Sequence, residues 1–249
     1  MLQQFGSNGV CCDSTHGTNA YDFSLTTLLV SDEFGKGFPV AWCLSNHEDF
    51  TTMLTFFNEL KKNCGVLRSK FFMSDMAPQF YNAWVASMGE PRPKKLVCTW
   101  HVDKAWRVEL KVKIWDTGLE AEVYKMLRMV LEQTSTRLFQ DCIGALLAEL
   151  SSDLKKEYYM KEFHDYFVQD WLQNKEIWAY CYRIGLGINT NMFTEAFHRR
   201  DQCFGRVIQL TKGKANYRIT QIEKRHRRGQ NMPLTNVEMS SDGSWKVTS

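Results

Sequence analysis

Hydrophobic and polar positions in the first hundred residues follow two different periods. Short apolar runs rich in β-branched and aromatic residues predict strands, because such side chains fit a half-buried pleated surface. These runs cover residues 10–12, 23–30, 38–44, 71–73 and 96–98. The second and third runs are separated by residues 32–37, which contain Gly35 and Gly37. We therefore expect these two strands to pair as a hairpin.

Segments with helical periodicity separate the later predicted strands. Apolar residues recur at helical spacing from Phe50 to Leu60, and Gly65 follows as a helix-ending residue. Pro78 is placed to open a second helix, which Gly89 should end. The alternation of strands and helices predicts an α/β unit.

The middle of the chain predicts helices only. Two amphipathic stripes run from Leu119 to Leu131 and from Leu138 to Leu150, and Ser135 or Thr136 is placed to cap the second. Aromatic-rich helical spacing continues from Phe163 to Trp178. No pattern between residues 103 and 182 predicts a strand, so a helical region should follow the α/β unit.

Composition excludes several classes of protein. The chain has 249 residues, of which 44% are hydrophobic and 24% charged, so it is neither wholly disordered nor collagen-like. No run approaches the roughly 18 apolar residues of a membrane-spanning helix. The first residues lack the pattern of a secretory signal, so we expect an intracellular protein. The eight cysteines form no CxxC pair, and most of them are expected to be reduced and buried.

Charge is distributed unevenly along the chain. The net charge is +3, whereas the segment from Arg199 to Arg228 alone carries +8. A basic segment of this kind attracts nucleic-acid phosphates. It is equally typical of a nuclear-import signal, for which residues 224–228 would serve.

Two carboxylates occupy positions that suggest chemistry. Asp13 ends the first apolar run, and Asp75 follows the run at 71–73 directly before a helix. A buried aspartate is costly unless it is paired, and a divalent cation is a suitable partner. If the two strands are neighbours, the two side chains can share a metal site. Alternatively, Asp75 caps the helix that opens at Pro78, and Asp13 belongs to a turn leading into residues 14–19.

Three further candidates have weaker signals. Glu195 lies beside the apolar stripe of a helix that Asn191 can cap, where a solvated glutamate is the ordinary interpretation. Cys98 and His101 have the spacing of half a zinc site, or of a buried cysteine beside a hydrogen-bonded histidine.

Trp100 and Trp106 either stack on nucleic-acid bases or belong to the core. The chain contains no P-loop, no GxSxG sequence and no dinucleotide-binding fingerprint, so no nucleotide cofactor is expected.

Taken in order, several segments resemble the catalytic domain of Mutator-like (MULE) DDE transposases. The resemblance runs from about Phe5 to Arg200. The segments that carry it are residues 13–19, 31–40, 73–78, 96–102, 189–191 and 195–198.

This resemblance implies a ribonuclease H-like α/β fold. It implies a mixed five-stranded sheet with flanking helices, interrupted by an all-helical insertion. The corresponding division of the chain has four parts. They are a first part of the core at 1–103, the insertion at 104–186, a core-closing helix at 187–215 and a basic, polar tail at 216–249.

The resemblance also implies a function. Asp13, Asp75 and Glu195 would be the catalytic triad that holds two Mg²⁺ ions, or Mn²⁺, for DNA strand cleavage and strand transfer. The implied partner is duplex DNA, as transposon ends and target, handled in the nucleus by a chain that can form homo-oligomers. Cys98 and His101 would give structural support or support to the DNA site. The basic residues expected to bind DNA are Arg199, Arg200, Lys212, Lys214, Arg225, Arg227 and Arg228.

The chain departs from this family in its flanking modules. Such transposases usually carry an N-terminal zinc-binding DNA-recognition domain and a C-terminal SWIM zinc finger, and no cysteine follows Cys203 here. We therefore expect either a fragment of a longer product or a remnant. The alternative function is a transposase-derived, non-catalytic DNA-binding or regulatory protein, and a related nuclease acting on RNA or branched DNA would use the same metal site.

Overall fold

The computed structural model describes residues 1–16, 23–151, 157–188, 237–239 and 245–247. It divides into two compact units, residues 1–200 and residues 201–249. The described part of the second unit is one antiparallel pair, β6 (Val237–Met239) and β7 (Trp245–Val247). The sequence pattern predicts no strand in this part of the chain.

The first unit is built on a mixed five-stranded sheet. Its strands are β1 (Val10–Thr15), β2 (Ser24–Ser31), β3 (Gly37–Ser45), β4 (Phe71–Ser74) and β5 (Lys94–Val97). Their spatial order is β3-β2-β1-β4-β5. β2 runs antiparallel to both β1 and β3, and β4 runs parallel to both β1 and β5. All five predicted strands are present, and the predicted β2–β3 hairpin is confirmed.

Three helices belong to this sheet. They are the unpredicted α1 (Leu2–Phe5) and the predicted α2 (Phe50–Cys64) and α3 (Pro78–Met88). The side chain of Asp49 caps α2 by accepting a hydrogen bond from the Thr52 N–H, and Gly65 ends that helix with a φ of 80°. Gly89 ends α3 in a similar conformation, with a φ of 76°.

Alternate residues of the strands supply two separate cores. Val10, Cys12 and Phe72 join the side chains of α2 and α3 in one cluster. Cys11, Met73 and Leu96 belong to another, which also contains Cys98 and Ile188. Because successive side chains of a strand point to opposite faces, the two clusters lie on opposite faces of the sheet.

A helical region follows β5. It contains α4 (Thr99–Lys113), α5 (Thr117–Glu132), α6 (Thr136–Ser151), α7 (Glu157–Tyr166) and α8 (Lys175–Trp178). Short π and 3₁₀ turns at 167–174 join α7 to α8. Residues 104–151 and 157–182 contain no strand, as the sequence pattern predicts.

The helical region has a core of its own, centred on Trp106 with Phe139, Phe163 and Trp178. Residue 103, the predicted domain boundary, lies inside α4, and the predicted boundaries stay predictions. No helix in the described ranges is both long enough and apolar enough to cross a membrane.

Candidate functional site

The strands that carry Asp13 and Asp75 are neighbours in the sheet. β1 and β4 are parallel, with Val10 opposite Phe72 and Cys11 opposite Met73. Continued by two residues, the same offset of 62 places Asp13, the fourth residue of β1, level with Asp75, which directly follows β4. Neighbouring strands lie about 4.8 Å apart, so the two aspartates share one edge of the sheet. The adjacency on which a shared metal site depends is thus confirmed.

The electrostatics of Cys12 show the same proximity. Burial raises the pKa of the Cys12 thiol, and the negative charges of Asp13 and Asp75 raise it further. Both carboxylates therefore act on one fully buried thiol from the ends of adjacent strands.

Asp13 is a strand residue and not a turn residue. It is the fourth residue of β1, pairs with Thr27 of β2 and is only 8% exposed. The alternative in which Asp13 introduces a turn is therefore wrong. A carboxylate held this deeply in a sheet requires polar or cationic surroundings.

Asp75 does not cap α3, because the N-cap position is Ala77 and the cap has no side-chain hydrogen bond. Instead, Oδ1 of Asp75 accepts a hydrogen bond from the Ala77 N–H at 3.0 Å. Burial raises the pKa of Asp75. The Ala77 hydrogen bond opposes that rise, the charge of Glu48 adds to it and the charge of Lys95 opposes it.

Glu48 is a third acidic residue at this edge, and sequence reasoning missed it. It lies in the loop between β3 and α2, and its charge acts on Asp75. Its buried Oε1 accepts no hydrogen bond from the described residues and lies 3.6 Å from Nε2 of His16. The available signal was topological, since the end of β3 lies at the same edge as the end of β1.

Lys95 was missed for a different reason. It is half-buried in β5, and burial lowers its pKa while the charge of Asp75 opposes that change. Its Nζ also lies 5.7 Å from the centre of the Tyr81 ring. The residues around Lys95 in the sequence do not show that it lies near Asp75. That proximity depends on how β4 and β5 pair.

The third predicted acid, Glu195, lies outside the described residues. So do the seven basic residues expected to bind DNA, namely Arg199, Arg200, Lys212, Lys214, Arg225, Arg227 and Arg228. Within the described ranges, no three histidine, cysteine, aspartate or glutamate side chains are grouped so that they could hold a metal ion. The predicted metal site therefore depends on Glu195 joining Asp13 and Asp75.

Cys98 and His101 lie where β5 passes into α4. Cys98 is the N-cap residue of α4 and is fully buried, and its N–H donates to the carbonyl oxygen of Ser74 at 3.0 Å. Burial, aided by the charge of Lys104, lowers the pKa of His101 to about 4, so this imidazole is neutral at pH 7. Its buried Nδ1 has no hydrogen bond to any described residue. Their supporting role stays a prediction.

The two tryptophans considered from the sequence differ in burial. Trp106 is fully buried and belongs to the helical core, whereas Trp100 is 36% exposed. None of the seven cysteines in the described ranges forms a disulfide, in agreement with the expected reduced state.

Comparison with known proteins supports the fold. Residues 1–83, a third of the chain, match the family model described as the RNaseH-like domain of zinc finger SWIM domain-containing protein 1/3. The matched segment contains both Asp13 and Asp75 and four of the five strands of the sheet. No curated protein matches the chain. From the sheet order and this match, the α/β unit has a ribonuclease H-like fold.

Proposed function

We propose that this chain is a DDE-type polynucleotidyl transferase that catalyses metal-dependent cleavage and strand transfer of DNA. The observation that carries the proposal is the parallel pairing of β1 and β4, whose register brings Asp13 in β1 level with Asp75 directly after β4. The ribonuclease H-like fold supports it, because many enzymes with this fold transfer phosphoryl groups. The ordered resemblance to MULE transposases supports the narrower assignment.

The donor set suits a hard divalent cation. Asp13 and Asp75 offer carboxylate oxygens, which Mg²⁺ and Mn²⁺ prefer. Burial and the charge of Glu48 both disfavour the ionised form of Asp75, and a bound cation would offset both effects. We assign Glu195 as the third ligand.

Two Mg²⁺ ions, when bound, would favour attack by water or a 3′-hydroxyl and neutralise charge on the leaving oxygen. The chain's own residues have distinct tasks in this proposal. Asp13 and Asp75 hold the cations at the sheet edge, and the Lys95 charge keeps the pKa of Asp75 lower than burial alone would set it.

The basic segment from Arg199 to Arg228 extends the proposal to partners. Its charge of +8 would hold duplex DNA, as transposon ends and target, through phosphate contacts. Nuclear localisation and homo-oligomers, which would pair two DNA ends, belong to the same proposal.

The test is cleavage of supercoiled plasmid and strand transfer of a labelled duplex by the purified full chain. Activity is expected with Mg²⁺ or Mn²⁺ and not in EDTA. Asp13→Asn, Asp75→Asn and Glu195→Gln should each reduce it at least about 100-fold. Asp141→Asn on α6 is the matched control, because Asp141 is an exposed aspartate in the helical region.

Metal binding gives a second measurement that does not depend on turnover. Mn²⁺ binding followed by electron paramagnetic resonance should weaken in Asp75→Asn and remain unchanged in Asp141→Asn. Wild-type activity in Asp75→Asn would refute the proposal. DNA binding that ignores both metal and Asp75, without any cleavage, would instead favour the non-catalytic alternative.

A further inference from the structure

Five residues of α4 form one exposed side of that helix, which we name the α4 outer face. They are Trp100, Lys104, Val108, Lys111 and Val112, and all five are exposed or at the margin of exposure. At 100° per residue they fall within an arc of about 120°. Val102, Trp106 and Leu110, on the other side of the helix, are fully buried. One side of α4 therefore packs into the core of the helical region, and the other side is exposed to solvent.

The charge on this face has no acidic counterpart among the described residues. Neither Lys104 nor Lys111 forms an ion pair with any residue that the structure describes. The two acidic residues of α4 are engaged elsewhere. Asp103 accepts from Nε of Arg107 at 2.9 Å, and Glu109 pairs with Lys113 at 3.3 Å. The face thus combines an aromatic ring and two valines with two lysines that pair with no described acidic residue, and it contains no acid itself.

The position of the face connects it to the candidate site. The Cys98 N–H that starts α4 is bonded to the Ser74 carbonyl, one residue before Asp75. Trp100 follows two residues later, at the end of the helix nearest the sheet edge. Lys104 and Lys111 lie two turns apart, about 10 Å along the axis. The face therefore begins at the carboxyl edge of the sheet and leads away from it.

The ring of Trp100 is held by its neighbours. Nζ of Lys104 lies 5.0 Å from the centre of the ring, and the His101 ring contacts it edge-on at 4.8 Å between centroids. These contacts orient the indole while leaving 36% of the residue exposed. An oriented, accessible indole next to lysines is the arrangement that binds unpaired bases and their phosphates.

We propose that the α4 outer face binds single-stranded DNA that enters or leaves the Asp13–Asp75 edge. Trp100 stacks on an unpaired base, and Lys104 and Lys111 contact phosphates along the same strand. The path to the acidic edge rests on the proposed function, whereas the binding itself does not. A protein partner is less well matched, because lysine is depleted at the centres of protein interfaces.

The test measures binding without catalysis. A fluorescent 20-nucleotide oligothymidine and a duplex of equal length are titrated with the full chain carrying Asp75→Asn, in EDTA, at several salt concentrations. Trp100→Ala should weaken single-strand binding about 5- to 150-fold and affect the duplex less. Lys104→Gln with Lys111→Gln should reduce the slope of log affinity against log salt by about 1.4, roughly 0.7 per contact.

Matched controls remove the same groups at the opposite edge of the sheet. Phe34→Ala removes a ring that is 77% exposed in the β2–β3 turn, and Lys36→Gln with Lys70→Gln removes two exposed lysines. Both controls should bind like the parent. Trp100→Phe should restore most of the single-strand affinity.

Three outcomes would overturn the inference. The first is parental binding by both Trp100→Ala and the α4 double variant. The second is an equal loss in Trp100→Ala for single strand and duplex. The third is a sedimentation mass of the α4 variants that differs from that of the parent while their DNA binding does not. That result would identify the face as a contact between copies of the chain. Binding of the expected kind in a chain without nuclease activity would refute the proposed function alone.

Discussion

The contact between Gly9 and Phe71 sets how closely the two acid-bearing strands approach. Gly9 directly precedes β1, and Phe71 is the first residue of β4. A Cβ built on Gly9 would lie against the Phe71 ring well inside the 3.0 Å below which real Cβ contacts essentially never occur. Gly9 also has a φ of 156°, which favours glycine. We therefore expect Gly9→Ala to be strongly destabilising.

The expected cost has two parts. Forcing the backbone conformation on alanine costs about 1–3 kcal/mol. Overpacking against a ring that is only 5% exposed costs about 1–3 kcal/mol more. The sum, about 2–6 kcal/mol, is a large share of the roughly 5–15 kcal/mol that stabilises an ordinary domain.

A double-mutant cycle separates the two parts. Urea unfolding followed by circular dichroism gives the free energy of unfolding for wild type, Gly9→Ala, Phe71→Ala and the double variant. Phe71→Ala alone should cost about 3–5 kcal/mol. Once the ring is gone, Gly9→Ala should cost only the backbone part. A coupling energy below about 0.5 kcal/mol, or a Gly9→Ala variant as stable as wild type, would refute this argument.

Three further changes test the electrostatics of Asp75 and His101 and the packing of the helical region's core. Each is measured by urea unfolding. Asp75→Asn should stabilise the chain at pH 7, because burial raises the folded-state pKa of Asp75. Wild type then loses stability as the pH rises above about 3.8, and the advantage of Asn should vanish below that pH. Burial lowers the pKa of His101 from 6.5 to about 4. Between these two pH values the folded chain therefore binds fewer protons than the unfolded chain. Stability should therefore fall as the pH drops through that window, and His101→Gln should flatten the slope. Trp106→Ala should cost about 3–5 kcal/mol, whereas Val108→Ala on the exposed side should cost less than about 0.5 kcal/mol.

For each of these three predictions, a specific outcome would contradict it. An Asp75→Asn variant less stable than wild type at pH 7 would mean that a partner of the carboxylate outweighs its burial. An unchanged pH slope in His101→Gln would mean that this imidazole titrates alike in the folded and unfolded chains. Equal costs for Trp106→Ala and Val108→Ala would contradict the packing of α4.

The sequence predicts the elements well where the signal is local. Gly35 and Gly37 mark the β2–β3 turn, and Gly65 and Gly89 end α2 and α3 where the apolar periods stop. The five strands follow from their β-branched and aromatic content. The ribonuclease H-like arrangement came from a resemblance, because apolar runs alone do not fix which strands are neighbours.

What the sequence could not predict depends on pairing between distant residues. Glu48 and Lys95 look like ordinary loop and strand residues, and only the sheet order brings their charges to Asp75. The start of α4 was also missed. Cys98 belongs to an apolar run, yet it is the N-cap residue of α4, and its N–H donates to the Ser74 carbonyl at the end of β4.

The two ends of the β1–β4 pair differ in what holds them together. At the amino end, Gly9 and Phe71 pack closely and the Lys70 N–H bonds the Ser7 carbonyl at 3.0 Å. At the carboxyl end, Asp13 is buried and Asp75 is partly buried, and the raised pKa of Asp75 shows that burial disfavours its charged form. Strain concentrated at one end of an otherwise well-packed strand pair is typical of functional sites. A bound divalent cation would remove much of this burial cost, which supports the metal-dependent function proposed above over a purely structural sheet.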